Sequence, residues 1–321
     1  MDFRQLEYFV HVANTLNITN AAMRAHISQP ALSRQIRLLE EELGAPLFQR
    51  KARGVILTET GQRLFDRTRV LLESMGRMKS EIMSSSDEPV GTVRMAASNS
   101  LSNLLTSRVV ARYRRSYSKV GVHVNENTSL KVRDVLVQEG ADIALLSDRE
   151  SFTGLIKIPL ASESLMLIAP PEVGLDISKP VSAKALTGHN LILTPFPNGL
   201  RRAVDDILFR AGKVPAPKVE VDTNSLMISL TRRGAGYCVL PYSGVHELLV
   251  RGEVSAAPIR NVRWGWAIAV SRDRAMSTAA KKMVDIILSE ATILISSGTW
   301  KTASTDGFPN TQAGSLAETS N

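Results

Sequence analysis

Between Ser28 and Pro46 the sequence fixes a helix at both ends. Ser28 can cap its N-terminus, and Pro30 falls in the first turn, where a missing N–H costs little. Gly44 supplies the stop, with Pro46 just beyond it. In between, Leu32, Ile36, Leu39 and Leu43 recur at spacings of four, three and four and form a stripe that must be buried. Gln29, Ser33, Arg34 and Arg37 cannot lie on that stripe. Other elements must therefore hold this short helix, and its polar face is left over for something else.

The preceding segment supplies the partners. Leu6, Phe9, Val10 and Ala13 predict an amphipathic helix over 3–15, and Thr19 is read as the cap of a short helix carrying Ala21, Ala22 and Ala25. Two short helices joined by a tight turn, the second with polar N-terminal residues, form a helix-turn-helix pattern. In that unit the second helix enters the major groove, where glutamine matches adenine and arginine matches guanine. A small helical bundle with a solvated polar face explains the helices equally well. The next segment separates the two: "LFQRKARGVILT" (47–58) reads as a β-hairpin with a basic tip of Arg50, Lys51 and Arg53, a wing placed to meet phosphate. Glu40, Glu41 and Glu42 fall at the far end of the helix, away from the phosphates.

The stretch "NAAMRAHISQPALSRQIRLLEEELGAPLFQRKARGVILTETG" resembles the N-terminal winged helix-turn-helix of LysR-type transcriptional regulators, from about Asp2 to Gly61. "SQPALSRQI", "LEEELG", "PLF" and "LTETG" carry the resemblance. The sequence departs from the family pattern at Ala25, usually a larger apolar residue, and at Leu16-Asn17-Ile18. The resemblance implies DNA contact through Ser28 and base-edge contacts from Gln29, Pro30, Ser33, Arg34 and Arg37, with phosphate held by Arg50, Lys51 and Arg53.

Leu64, Thr68, Leu71, Met75, Met78 and Ile82 alternate spacings of four and three in a proline-free run, Thr60–Ser84, and predict a helix with an apolar seam that should pair. In the family this helix is the dimer interface. The resemblance thus implies a homodimer through 60–84, assembling further as a dimer of dimers (a homotetramer). A dimer suits a palindrome, since it sets two recognition helices roughly 34–36 Å apart. "SSSDEP" (84–89) reads as a hinge.

From Gly91 strands and helices alternate. Strands are expected at Val93–Ala97, Val120–Glu126, Ala141–Leu146, Leu165–Ala169, Leu191–Thr194, Val219–Asp222, Tyr237–Leu240 and Trp266–Val270. Helices are expected near 101–115, 130–139, 199–211, 225–233 and 278–295. The alternation predicts parallel α/β sheets, and the length favours two lobes with a crevice. Ligands in such sheets bind beyond the carboxyl ends of the strands. Ser98-Asn99-Ser100, Asn127-Thr128-Ser129, Thr194 with Asn198-Gly199, and Thr223-Asn224-Ser225 all fall there. Each alone reads as an ordinary helix cap; four at one edge indicate a small-molecule cleft. "GADIALL" and "GAGYCVLP" extend the family resemblance over this part, to about residue 295. It implies the two-lobed fold of type 2 periplasmic solute-binding proteins, with effector contacts at Ser98, Ser100, Leu101, Thr128, Ser129, Thr194 and Phe196, to which the strand-end positions add Asn99 and Thr223.

The predicted architecture is therefore an all-α winged helix-turn-helix over 1–58, a linker helix and hinge over 59–88, and an α/β effector domain over 89–296. That last domain has crossovers near 161 and 265, and a polar tail over 297–321 reads as disordered. Trp264-Gly265-Trp266 lies at the second crossover, as core packing or as a hinge. Net charge is +8, but residues 1–90 carry a balance of only +1 and the remainder +7, which leans towards an anionic effector. One cysteine, Cys238, sits in an apolar run, so a buried thiol and a reducing cytoplasm are expected. The N-terminus lacks the pattern of a signal peptide, and no apolar run suits a membrane span. Five scattered histidines lack metal-ligand spacing, and no acid pair, triad or phosphate loop can be assigned. An enzyme with an appended DNA-binding module would need such a constellation. The expectation is a cytoplasmic, nucleoid-associated regulator with no resident cofactor. It takes a small-molecule co-effector, binds double-stranded promoter DNA, meets RNA polymerase if it activates, and has no membrane partner.

Overall fold

The computed structural model describes residues 1–51, 54–83, 89–138, 140–150 and 153–305. They fall into two compact units, divided after Ser85.

In the first unit, α1 (Phe3–Thr15) opens on a capping box between Asp2 and Gln5 and buries Leu6, Phe9, Val12 and Ala13. Leu16 closes it in the left-handed region, so the chain can enter α2 (Ile18–Arg24) at once. Asn17, not Thr19, is therefore the cap: its side chain accepts the Asn20 N–H at 3.0 Å. Helix α3 (Gln29–Leu43) starts on Ser28, whose hydroxyl accepts the Ala31 N–H, and ends at Gly44 with φ +65°. Leu32, Ile36 and Leu39 are buried, whereas Leu43 is 39 % exposed because the last turn runs past the core cluster. Glu40 faces inward rather than to solvent. Its carboxylate accepts the N–H groups of Leu47 and Phe48 at 2.7 and 3.1 Å, tying α3 to the hairpin.

That hairpin is β1 (Phe48–Lys51) and β2 (Gly54–Leu57), antiparallel with Phe48 opposite Leu57. The Val55 N–H reaches the Leu16 carbonyl at 3.0 Å, and a Cβ on Gly54 would stand 2.4 Å from the same oxygen. The long helix α4 (Glu59–Met83) is seated equally closely. Thr58 Oγ1 donates to the Pro46 carbonyl and accepts the Gly61 N–H, and a Cβ on Gly61 would lie 2.1 Å from the Leu47 oxygen. The "LTETG" signature thus encodes a backbone-to-backbone approach. Gly61→Ala is expected to cost roughly 2 kcal/mol or more, since the obstacle is backbone and cannot turn aside. A urea titration followed by circular dichroism reads this as a lower midpoint.

The apolar seam of α4 begins later than its spacing predicts. Leu64 and Phe65 pack on the first unit's core and Thr68 is 2 % exposed, while Leu71 and Met78 remain 42 % and 55 % exposed. The side chain of Ile82, like residues 84–88 of the predicted hinge, lies outside the described residues.

The second unit is built on one eight-stranded sheet. Strands β3 (Gly91–Ser98), β4 (Val120–Asn127) and β5 (Ile143–Ser147) are parallel and form one lobe with α5 (Ser107–Ser116) and α6 (Ser129–Val137). Two long strands then cross between lobes, β6 (Leu155–Ala169) outward and β10 (Ser255–Ser271) back. The second lobe holds parallel strands β7 (Leu191–Leu193), β8 (Val219–Glu220) and β9 (Tyr237–Pro241), with α7 (Gly199–Arg210), α8 (Asn224–Arg232) and α9 (His246–Val250). Helix α10 (Thr278–Ser296) packs against α5 and β3.

Parallel strands within each lobe match the expectation; the crossing strands do not. Both run antiparallel to their neighbours and to each other, and each is about three times as long as the apolar run expected for it. Pro159, Glu163, Arg260 and Arg263 break the strand pattern, and the ladder shifts register between Pro258 and Arg263 and between Trp266 and Ala267. The expected crossover positions meet there, with Ser162 opposite Gly265.

The polar tail requires correction over 297–305. Trp300 is 1 % exposed, and Ser304 pairs with Ser162 through two backbone hydrogen bonds of 2.9 Å. A polar composition misleads here because one buried indole anchors the segment. Residues 306–321 lie outside the described residues.

Candidate functional site

At the N-terminal end of α3, Ser28, Gln29, Pro30, Arg34 and Arg37 are exposed, and Ser33 is half-buried. Gln29 Nε2 donates to Ser33 Oγ at 2.9 Å, which holds the amide along the helix face one turn on. Arg34 and Arg37 have no ion-pair partner among the described residues. On the hairpin Arg50 and Lys51 are exposed, and Arg53 lies outside the described residues. The face presents a cationic and amide surface anchored by the buried stripe beneath it, a geometry that can donate in bidentate fashion to base edges.

In the second unit a cleft opens between the lobes at the carboxyl ends of β3, β7 and β9. Ser98, Asn99, Ser100, Thr128 and Ser129 line it from one lobe, and Thr194, Asn198, Gly199 and Asn224 from the other. The walls touch: Asn224 Nδ2 donates to Ser100 Oγ at 3.0 Å across the gap. Ser129 Oγ accepts the Ser147 N–H at 3.2 Å and lies 3.4 Å from Ser98 Oγ. About 30 Å³ remains inside, room for water but far below the roughly 300–1,000 Å³ of a ligand pocket, so the lobes must part to admit a molecule. Two buried polar groups on the lining residues lack partners among the described residues, Thr194 Oγ1 and Trp264 Nε1.

Comparison with known proteins decides the identity of both units. Residues 3–62 match the family described as "Bacterial regulatory helix-turn-helix protein, lysR family", and residues 86–292 match "LysR substrate binding domain". The chain belongs to the LysR family of transcriptional regulators. It is 26 % identical to the RuBisCO operon transcriptional regulator of Allochromatium vinosum, over 91 % of this chain and 97 % of that one. Among solved structures it resembles full-length CbnR complexed with its target DNA (TM-score 0.70, 22 % identity, 91 % and 99 % covered). It also resembles full-length BenM (TM-score 0.54, 26 % identity, 93 % and 98 % covered). The family assignment makes this a DNA-binding transcriptional regulator with a co-effector domain. No described helix is long and apolar enough to cross a membrane.

Within the LysR-type effector domain, the predicted residues divide. Ser98, Asn99, Ser100, Thr128, Ser129 and Thr194 come together on the cleft. Leu101 does not: it is fully buried in the core, because the turn Asn99–Leu101 rolls it under β3. Phe196 is 61 % exposed beneath the Arg201 guanidinium and lines an outer concavity with Arg149, Arg202 and Asp205. Thr223, the N-cap of α8, faces a separate cavity with Ser225, Arg232 and Glu247, while the helix's first residue, Asn224, is the one that reaches the cleft.

Sequence reasoning missed Glu150, Asp222, Trp264 and Trp266 as lining residues. The tryptophans are 3 % and 1 % exposed, so the core reading of this pair holds while its edge also walls the cleft. Nothing local marks Glu150; its loop reaches the cleft because Lys157 Nζ holds the Asp148 and Glu150 carbonyls at 2.9 and 3.0 Å. The expectation of an anionic effector finds no cation here. Among the described residues the lining has two carboxylates and no lysine or arginine, and Arg201 is consumed by Asp205, Glu220 and the Thr194 carbonyl. Cys238 is buried beside Thr231, and burial pushes its thiol up to about 12, far from a nucleophile's range. No group of three potential metal ligands occurs among the described residues.

Proposed function

We propose that this LysR-type regulator reads promoter DNA with Gln29, Pro30, Ser33, Arg34 and Arg37 on base edges, Ser28 in contact with the DNA beside them, and Arg50, Lys51 and Arg53 on phosphate. It does so as a homodimer paired along α4, and as a dimer of dimers at full assembly. RNA polymerase is a further partner where the bound form activates, and the setting is the bacterial cytoplasm. The effector occupies the cleft between the lobes. Lobe closure is then a population shift: a ligand that binds one lobe arrangement better changes the spacing of recognition helices across the oligomer.

The observation that carries the reading is the exposed arginine face, with no ion-pair partner among the described residues, at the start of a helix whose opposite face buries Leu32, Ile36 and Leu39. Leu71 and Met78, left uncovered beyond the first unit's core, support the pairing. Selection of full-length protein against a random duplex pool tests both. Enriched sites are expected to be inverted repeats with half-sites roughly one helical turn apart. Enrichment of single, unrepeated sites would overturn the dimeric reading, and no enrichment the whole of it.

A further inference from the structure

We propose that the effector is a small ligand bearing a protonated amine, and that Glu150 is its counter-charge. The inference rests on the reading of the interlobe cleft as the effector site and adds its chemistry. Glu150 is 3 % exposed on a wall that holds no basic residue among those described. Its carboxylate has one side-chain contact among the described residues, a 3.4 Å approach from Arg202 Nη2. Arg202 is itself about half exposed and spends Nη1 on the Pro197 carbonyl at 3.0 Å. A carboxylate so far from water needs close, well-aligned donors, and one long contact to a hydrated guanidinium does not supply them. The nearby bases are committed elsewhere: Lys157 to two carbonyls, Arg149 to the face of Trp264 at 5.6 Å.

Glu150 also closes off the alternative. Helix α7 would offer an anion its N-terminus, yet Asn198 takes the Leu200 N–H at 2.8 Å and the Glu150 carboxylate lies against Gly199. A Cβ at Gly199 would fall 2.5 Å from Glu150 Oε1, so the glycine admits the acid to this place. The site is already anionic. The rest of the wall suits an amine: Asp222 adds a second negative charge. The unpaired Thr194 Oγ1 can accept from the amine, while the unpaired Trp264 Nε1 calls for an acceptor on the ligand. The ligand class is a small amine that also carries a carbonyl, hydroxyl or carboxylate oxygen.

Melting of the full-length protein with three probes of matched size tests this: glycinamide (cation), glycine (both charges) and glycolate (anion). At about 10 mM, glycinamide and glycine are expected to raise Tm by roughly 2 °C or more and glycolate not to. Glu150→Gln should lose the response to the amines. Without any probe, Glu150→Gln should melt higher than wild type, because an under-paired buried charge has been removed. A lower melting point would make Glu150 a structural partner of Arg202 and overturn the proposal. So would a shift with glycolate alone, an undiminished amine response in Glu150→Gln, or no shift with any probe. Thr194→Val separates the two levels. If it loses the probe response while Glu150→Gln keeps it, the cleft stands and the amine assignment falls. If Thr194→Val responds like wild type, the cleft itself is wrong.

Discussion

Glu163→Ala is expected to destabilise the effector domain by roughly 3–5 kcal/mol, a larger loss than any other single substitution proposed for this protein. Glu163 is fully buried at the crossing of the two long strands and accepts four hydrogen bonds. Ser243 gives its N–H at 2.8 Å and its hydroxyl at 2.6 Å; Trp300 Nε1 gives a third at 2.9 Å, and Trp266 Nε1 the fourth. Burial pushes the carboxyl above its ordinary range and the four donors pull it back. Alanine would strand four buried donors drawn from β10, the turn after β9 and the C-terminal segment. Calorimetry should show a Tm lower by about 10 °C, taking the usual 2–4 °C per kcal/mol for a domain of this size. Glu163→Gln keeps an acceptor oxygen but turns its NH₂ towards donors, and should fall between the two. A Glu163→Ala protein melting within a degree or two of wild type would mean that the four contacts carry little net energy.

The second large effect is on DNA. Arg34→Ala is expected to lower affinity for the selected site by roughly tenfold to a hundredfold and to relax preference at one base-pair position. Arg34 is exposed on a helix whose other face is locked by Leu32, Ile36 and Leu39, so the substitution removes a contact without disturbing the fold. Arg50→Ala and Lys51→Ala on the hairpin should behave differently. They should weaken binding to all sequences alike and reduce the slope of log K against log salt by about one each. Fluorescence anisotropy with selected and scrambled duplexes, over a salt series, distinguishes the two behaviours. If Arg34→Ala bound both duplexes as the wild type does, α3 would not be the reading helix.

The N-terminal unit is legible in the sequence because its determinants are local. Ser28, Pro30, Leu32, Ile36 and Gly44 lie within about five turns of one another, and caps and stripes act over that range. Where the reading slipped, at Thr19, the deciding fact was the left-handed Leu16 that ends α1 and moves the next cap back to Asn17. The hydroxyl runs after β3 and β4 were equally readable, since strand ends place their successors at the sheet edge. Leu101, Phe196 and Thr223 sit on those same edges, but which way each faces depends on how the next turn rolls.

The sequence alone determined a winged helix-turn-helix, a long helix with an apolar seam, and a two-lobed α/β domain with hydroxyl residues at its strand ends. Those features arise from periodicity, caps and turn residues, all of which are short-range. Only the tertiary structure decided that β6 and β10 are continuous crossing strands and that residues 297–305 belong to the folded domain. It also decided that the cleft is walled by acid rather than base. Each of these depends on groups far apart in the chain: Glu163 needs Ser243, Trp266 and Trp300, and Glu150 enters the cleft only where Gly199 leaves room for it. No residue's neighbours in sequence report what it will meet across a sheet, so the charge of the site was hidden until the lobes were assembled.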